Sequence, residues 1–447
     1  MLKNRPQTQS SLEFVSIDEL VPADHLLRKI DAKIDFSFIH DLVKDFYCDN
    51  NGRPALDPTL MFKLLFIGYL FGIRSERQLI RDAQVNVAYR WFLGLGLTDK
   101  LPDASTLSQN RIRRFNETEV YQQIFDQIVL QAMKKKLVTG TTLYTDSTHL
   151  KANANKNKHI LNRVHTERQA YMDDLDRAID EDRLSHGKKP LALSSKAQPE
   201  REIKQSTTDP ESGYMVRDSK PKGFFYLDHR TVDSRCNIVT DVHVTAGNVH
   251  DAVPYLERLD RQKERFNFDV EHVGLDAGYF TSALCKGLED RDIYAVMGYR
   301  RPTHKAGYFY KREYIYDELN DQYTCPAGQI ILYKTTSREG YRHYQSNPKI
   351  CANCPLIDRC TRNANKVKTI TRHVWEDSKE RVNQNRLTDK GKVIYARRKE
   401  TVERSFADAK QLHGYRYAQF RGRSKVQMQC LMVATAQNMK KIALMAA

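Results

Sequence analysis

The sequence lacks any long apolar run. Its most hydrophobic stretch, Leu60 to Ile73, is broken by Lys63 and falls short of the roughly 20 residues that span a bilayer. The first fourteen residues, MLKNRPQTQSSLEF, contain no apolar signal core, so neither secretion nor membrane insertion is expected. No glycine-rich phosphate loop ending in Lys-Ser or Lys-Thr is present, which removes the usual implication of ATP. Cysteine is sparse, eight in 447 residues. In a chain with no expected secretion this argues against a disulfide framework and for reduced thiols or metal ligands. Acid is short relative to base, 56 residues against 72, a formal charge of +16. An excess of that size favours a polyanionic partner, nucleic acid ahead of a membrane surface.

With 40% hydrophobic and 10% aromatic residues the chain reads as a folded globular protein, and its length suggests two or three domains. The charge is uneven: Lys390 to Ala447 holds 13 Lys/Arg and three acids (Glu400, Glu403, Asp408), or +10 of the +16. Residues 14–116 carry helical apolar spacing in short segments. Asp57-Pro58 opens an apolar helix, Ser75-Glu-Arg-Gln78 reads as a cap for the next, and Asp103/Ser105 restart the pattern over Thr106–Phe115. Short helices with tight turns are compatible with a helix-turn-helix-like unit, in which Arg111, Arg113 and Arg114 reach phosphates. A helix near 118–136 leads into the strand Thr141–Ala152.

The stretch 151–222 then turns polar, with 15 basic and 12 acidic residues. Leu161–Arg183 reads as a solvated helix and Gly187–Ser219 as loop. Beyond Gly223 the order is a hairpin of two strands (Phe224–Thr231 and Ile238–Val244), a helix, a strand over Phe266–Gly274, a helix, and a strand at Tyr294–Tyr299. That is a mixed sheet with helices on its faces. Residues 300–390 interrupt it and hold Cys325, Cys351, Cys354 and Cys360 at spacing C-x25-C-x2-C-x5-C, a pattern that supports a structural zinc site, with free thiols or an iron–sulfur cluster as the alternatives. Lys392–His413 reads as one helix with Val402, Phe406 and Ala409 on its buried stripe, and Val426–Leu444 as a last, core-packed helix.

Three acids are out of place in this pattern. Asp146 lies among the strand formers Thr142, Tyr144 and Thr148, on a strand expected to be otherwise buried, where an acid is costly unless it is paired or binds a cation. Asp276 follows a second apolar strand, at the carboxyl edge where sites form in open sheets. Glu403 stands beside the apolar stripe of the late basic helix, with Lys399 and Lys410 on the same face. Gathered at one sheet edge they make an all-oxygen site suited to Mg²⁺ or Mn²⁺. Lys151 is a candidate phosphate contact beside Asp146; Asp228 and Asp233 read as turn residues flanking the hairpin, and His149 and His250 as structural residues near the acids.

The motifs YTDSTHLKA (Tyr144–Ala152), VGLDAGYF (Val273–Phe280) and RRKETVERSFADAK (Arg397–Lys410), in this order, resemble the DDE transposases of bacterial insertion sequences. The resemblance implies a helical, DNA-binding N-terminal domain over 1–136. It implies a ribonuclease-H-like α/β catalytic domain over 137–447, with the polar insert 151–222 and a cysteine-bearing insert 300–390. It maps the metal-binding acids onto Asp146, Asp276 and Glu403, with two Mg²⁺ or Mn²⁺ ions, and phosphate-positioning roles onto Arg398, Lys399 and Lys410. Implied partners are double-stranded DNA, as element ends and target, and further copies of the chain; the implied location is the bacterial cytoplasm, at the nucleoid. The implied activity is end cleavage followed by strand transfer, with a nuclease that does not join strands, or a silent DNA-binding derivative, as alternatives. One departure stands out. The family's late helix reads Tyr-x2-Arg-x3-Glu-x6-Lys, but four residues separate Arg398 from Glu403. Glu400 therefore stays in play as the third ligand.

Overall fold

A computed structural model describes residues 14–48, 55–165, 171–191, 200–216, 221–301 and 305–445. The first thirteen residues, and parts of the loop expected between Gly187 and Ser219, lie outside these.

The N-terminal part is helical because each segment carries its own start signal. Asp57, Ser75, Asn86 and Asp103 accept a backbone N–H at the starts of Pro58–Leu70, Glu76–Val85, Val87–Phe92 and Ala104–Gln109. The last of these runs on through a π-helical turn, Asn110–Arg114. Val120–Lys134 closes the set.

The sheet is built on the strand Thr142–Lys151. Gly223–Asp233 pairs with it antiparallel on one side and continues through a hairpin into Val239–Ala246. On the other side His272–Leu275 runs parallel to it, followed in parallel by Tyr294–Met297. This mixed sheet behind a helical N-terminal region is the α/β, ribonuclease-H-like architecture expected. Strand Val239–Ala246 has a free backbone edge, normally a liability. The C-terminal helix Arg423–Met445 covers it. Asn438 accepts from Val239 N–H and donates to its carbonyl, and Gln427 does the same between Val244 and Val242.

That helix also packs against Leu26–Lys33, Pro58–Leu70 and Val120–Lys134. One apolar core therefore runs from Leu27 through the sheet to Ala443. Length alone suggested separate cores for the helical and sheet parts; a buried helix shared by both joins them.

The inserts differ from the sequence reading. The supposed helix over Leu161–Arg183 begins as a strand, His159–His165, paired with Glu200–Ser206, and only then becomes the helix Tyr171–Ser185. The cysteine-bearing insert forms its own five-stranded antiparallel sheet over Ile315–His373, around Tyr314, Tyr323, Ile331, Tyr344 and Ile370. The two inserts touch: Asp182 accepts from Arg342 and Thr336, and the His186 ring stacks on Tyr333 at 3.7 Å. The strand expected over Phe266–Gly274 is shorter, because the helix Tyr255–Phe266 extends to a left-handed cap at Asn267 and the strand starts at His272. No helix among the described residues is long and apolar enough to cross a membrane.

Candidate active site

Strand register brings the first two acids together. Thr145 pairs with Leu275 in the parallel ladder, so the next residues, Asp146 and Asp276, sit level on neighbouring strands, roughly 4.8 Å apart in backbone spacing. Across the other ladder Asp146 faces Arg230.

The third acid arrives through a broken helix. The single helix expected over Lys392–His413 is two, Asp389–Ala396 and Val402–Leu412, joined by a 3₁₀ turn at Arg397–Lys399. Thr401 lies outside helical geometry (φ −104°, ψ −97°), and its hydroxyl donates back to the Arg397 carbonyl at 2.8 Å, a local bond that competes with helix continuation. The break turns Arg398 inward. Its guanidinium donates to Asp146 at 2.8 Å and lies 3.8 Å from Asp276 and 3.7 Å from Glu403. Asp146, Asp276 and Glu403 thus surround one buried arginine. Glu400 and Lys399 are exposed outside this group, and the Glu400 carbonyl accepts from Asn237. Arg398, rather than Lys399, is the base that meets the acids.

Asp146 is the most buried of the three, its side chain 22% exposed against 49% for Asp276 and 46% for Glu403. Burial pushes its carboxyl up to about 6; Asp276 and Asp251 push the same way, against Arg398 and the Ser147 N–H. Asp251, in the turn after the hairpin, is a fourth carboxylate close by, at a position that no apolar pattern marks. It accepts from Ser147 Oγ at 2.7 Å and lies 3.9 Å from the buried His229. Its only sequence signal was position, in the Gly247–Asp251 turn after the hairpin.

Lys410 donates to Thr148 Oγ1 at 2.6 Å, two residues beyond Asp146 on the same strand face. Of the three N-terminal arginines, Arg111 pairs with Glu76 and packs on Phe420, and Arg114 lies over Tyr47 at 3.9 Å; Arg113 is exposed. His250 accepts from Ala252 N–H in a turn. Asp228 is not a turn residue: it sits mid-strand and forms a fully buried ion pair with Arg230, capped by Tyr415. Asp233 does hold a turn, accepting from Gly140 and Arg235 N–H.

Cys325, Cys351, Cys354 and Cys360 all line one narrow apolar cavity. Cys325 Sγ accepts from Gln329 N–H, Cys351 contacts Ser346 and Cys360 contacts Tyr314. Among the described residues no three His, Cys, Asp or Glu side chains, as they stand, are grouped to share a metal ion. Around the acids the reason is visible, since a guanidinium fills the space between them. The donor set itself, all carboxylate and short of positive charge, fits a hard divalent cation.

Residues 15–113 match the model of a transposase domain (DUF772), and residues 324–443, which include Glu403, Lys410 and the four cysteines, match that of a transposase DDE domain. Both matched segments, together just under half of the chain, are similar to transposase domains, consistent with a DDE transposase. Asp146 and Asp276 fall between the two matched segments of the chain. No curated protein matches it. Among solved structures it is similar to a piggyBac transposase synaptic complex with hairpin DNA, at 11% identity over 93% of this chain and 80% of that one, with a TM-score of 0.26. A likeness that loose says nothing of function.

Proposed function

We propose that this chain is a DDE transposase that binds the terminal inverted repeats of its own element, cleaves at the ends and joins the freed 3′-hydroxyls to target DNA. The observation that supports this reading is the meeting of Asp146, Asp276 and Glu403 at one sheet edge, each from a different element, beside a basic helix. These three acids would hold two Mg²⁺ or Mn²⁺ ions, which supply activation of water or a 3′-hydroxyl and stabilisation of the leaving oxygen. Arg398 neutralises the acids while they are metal-free and is placed to meet the charge of the scissile phosphate. Lys410, on the same strand face as Asp146, is a second phosphate contact. Arg113 is the exposed member of the N-terminal set that would meet repeat DNA; Arg111 and Arg114 act through the folding of the helices that carry it. Joining two ends requires at least two copies on DNA. The four cysteines around one cavity, Cys325 in a turn after a strand, Cys351 and Cys360 at the ends of two short helices and Cys354 between them, are proposed to bind a structural zinc.

The test uses purified protein, end-containing duplex and Mg²⁺ or Mn²⁺. Asp146→Asn and Asp276→Asn are each expected to abolish cleavage and leave DNA binding intact. Normal cleavage by Asp146→Asn would overturn the site. Strand-transfer products separate a transposase from a nuclease that only cuts.

A further inference from the structure

The catalytic strand does not end at the acids. It runs on from Asp146 through Thr148, where Lys410 docks, to Lys151. There a second segment joins it: Ala418 N–H donates to the Lys151 carbonyl at 2.9 Å, and Arg421 donates to the Asn153 carbonyl at 3.0 Å. Between them lies an open groove lined by Lys151, Lys158, Arg421 and Tyr417. All four are exposed, and among the described residues no acidic side chain lines the groove. Tyr417 is 51% exposed, with Lys151 at 5.9 Å from its ring on the sheet side and Arg74 at 5.8 Å from the N-terminal helices. An exposed aromatic ring ringed by cations is unexplained by packing, because the apolar core passes beneath it at Tyr415 and Ala418.

We propose that this groove binds the phosphodiester backbone of the DNA strand leading away from the scissile phosphate, with Lys151, Lys158 and Arg421 on phosphates and Tyr417 against a sugar or base. The inference rests on the catalytic reading of Asp146 for its direction. Charge complementarity selects the occupant: exposed cations around an aromatic face are the chemistry that holds a nucleic-acid backbone. Its position follows from strand geometry. Five residues at about 3.3 Å place Lys151, the last residue of the strand, about 17 Å from Asp146, the rise of about five base pairs; the odd step turns its side chain to the other face, so the DNA strand meets it at the strand's end, beside Tyr417.

The experiment compares the full-length protein with a Lys151→Gln/Arg421→Gln double variant on end-containing duplex. Binding is read by fluorescence anisotropy across a salt series, and contacts by hydroxyl-radical footprinting. The expected result is a salt slope smaller by about two, affinity lower by about tenfold or more at physiological salt, and protection lost about five base pairs from the cleavage position and retained elsewhere. An unchanged slope and footprint would overturn the groove, whatever happens to cleavage. Lys158→Gln, on a separate loop, gives an independent measurement if the double variant does not fold, with an expected slope change of about one. Asp146→Asn is run beside them. It is expected to keep slope and footprint and lose cleavage, so a failure of the catalytic reading registers in that variant alone.

Discussion

The burial of Asp146 has a measurable cost in the metal-free chain. Its carboxyl is pushed up to about 6, chiefly by burial, from an unfolded value near 3.9. The folded chain therefore holds this proton more tightly than the unfolded one. Stability from that difference is fully present below about pH 4 and is lost as pH rises through about 6. At about 1.36 kcal/mol per pH unit, the charged carboxylate costs the fold about 3 kcal/mol at neutral pH. Asp146→Asn removes that charge. It keeps an oxygen for the Ser147 N–H, now at 2.8 Å, but gives up the bond from Arg398, which returns about 1 kcal/mol. The net expectation in EDTA is a variant about 2 kcal/mol more stable than the native protein at about pH 7.5, with the advantage reduced to about 0.5 kcal/mol at about pH 5. Urea denaturation at both pH values measures it. Divalent cation at a hundredfold over its dissociation constant would add about 2.7 kcal/mol to the native protein and less to the variant, which has lost a ligand. If Asp146→Asn is less stable than the native protein by the same amount at both pH values, the ion pair with Arg398 outweighs burial and the reasoning is wrong.

Glu403→Gln is expected to abolish metal-dependent cleavage and Glu400→Gln to leave it within a few-fold, measured side by side on the same duplex; the reverse result would move the third ligand. Asp228→Asn leaves Arg230 buried without its charge partner and is expected to lower unfolding free energy by about 3–5 kcal/mol, read by chemical denaturation. Gly140 has φ +71°, and a Cβ there would lie 2.3 Å from the Phe268 ring; Gly140→Ala is expected to destabilise by about 2–4 kcal/mol in the same assay. Metal analysis is expected to find one zinc per chain, lost in Cys354→Ser; native protein free of zinc, with all four thiols open to titration, would refute the cysteine site.

Segments with one buried face were readable because burial imposes a period. The helices between Asp57 and Gln109 announce themselves by cap residues, and the central strand and hairpin by β-branched and aromatic runs. The inserts do not obey that rule. In the ribbon His159–His165 the neighbours Ile160 and Leu161 are both exposed, at 55% and 60%, so no alternation marks a strand, and its partner begins beyond a helix. The small sheet of the cysteine insert has strands as short as three residues and buries little more than one side chain from each. A period cannot be read from one point. Pairing across long sequence gaps decides both structures, and composition carries no trace of it.

The acids were legible for a related reason, and the arginine between them was not. Asp146 is an acid in mid-strand and Asp276 follows the end of an apolar strand, and the parallel ladder then makes them neighbours with no further choice. Glu403 and Arg398 are five residues apart. In one continuous helix, at 3.6 residues per turn, that is a rotation of about 140°, which sends the two side chains to different faces. A four-residue spacing would leave them about 40° apart. The additional residue therefore demands a break between them, and Thr401 supplies it by bonding back to Arg397. On a straight helix Lys399 would share the face of Glu403. With the break, Arg398 enters the acid cluster and Lys399 turns out to solvent. The departure from the family's spacing thus carries its own compensation in the backbone, and it keeps the inward-facing base an arginine, whose planar fork can reach three carboxylates at once where an ammonium would meet them as a single point.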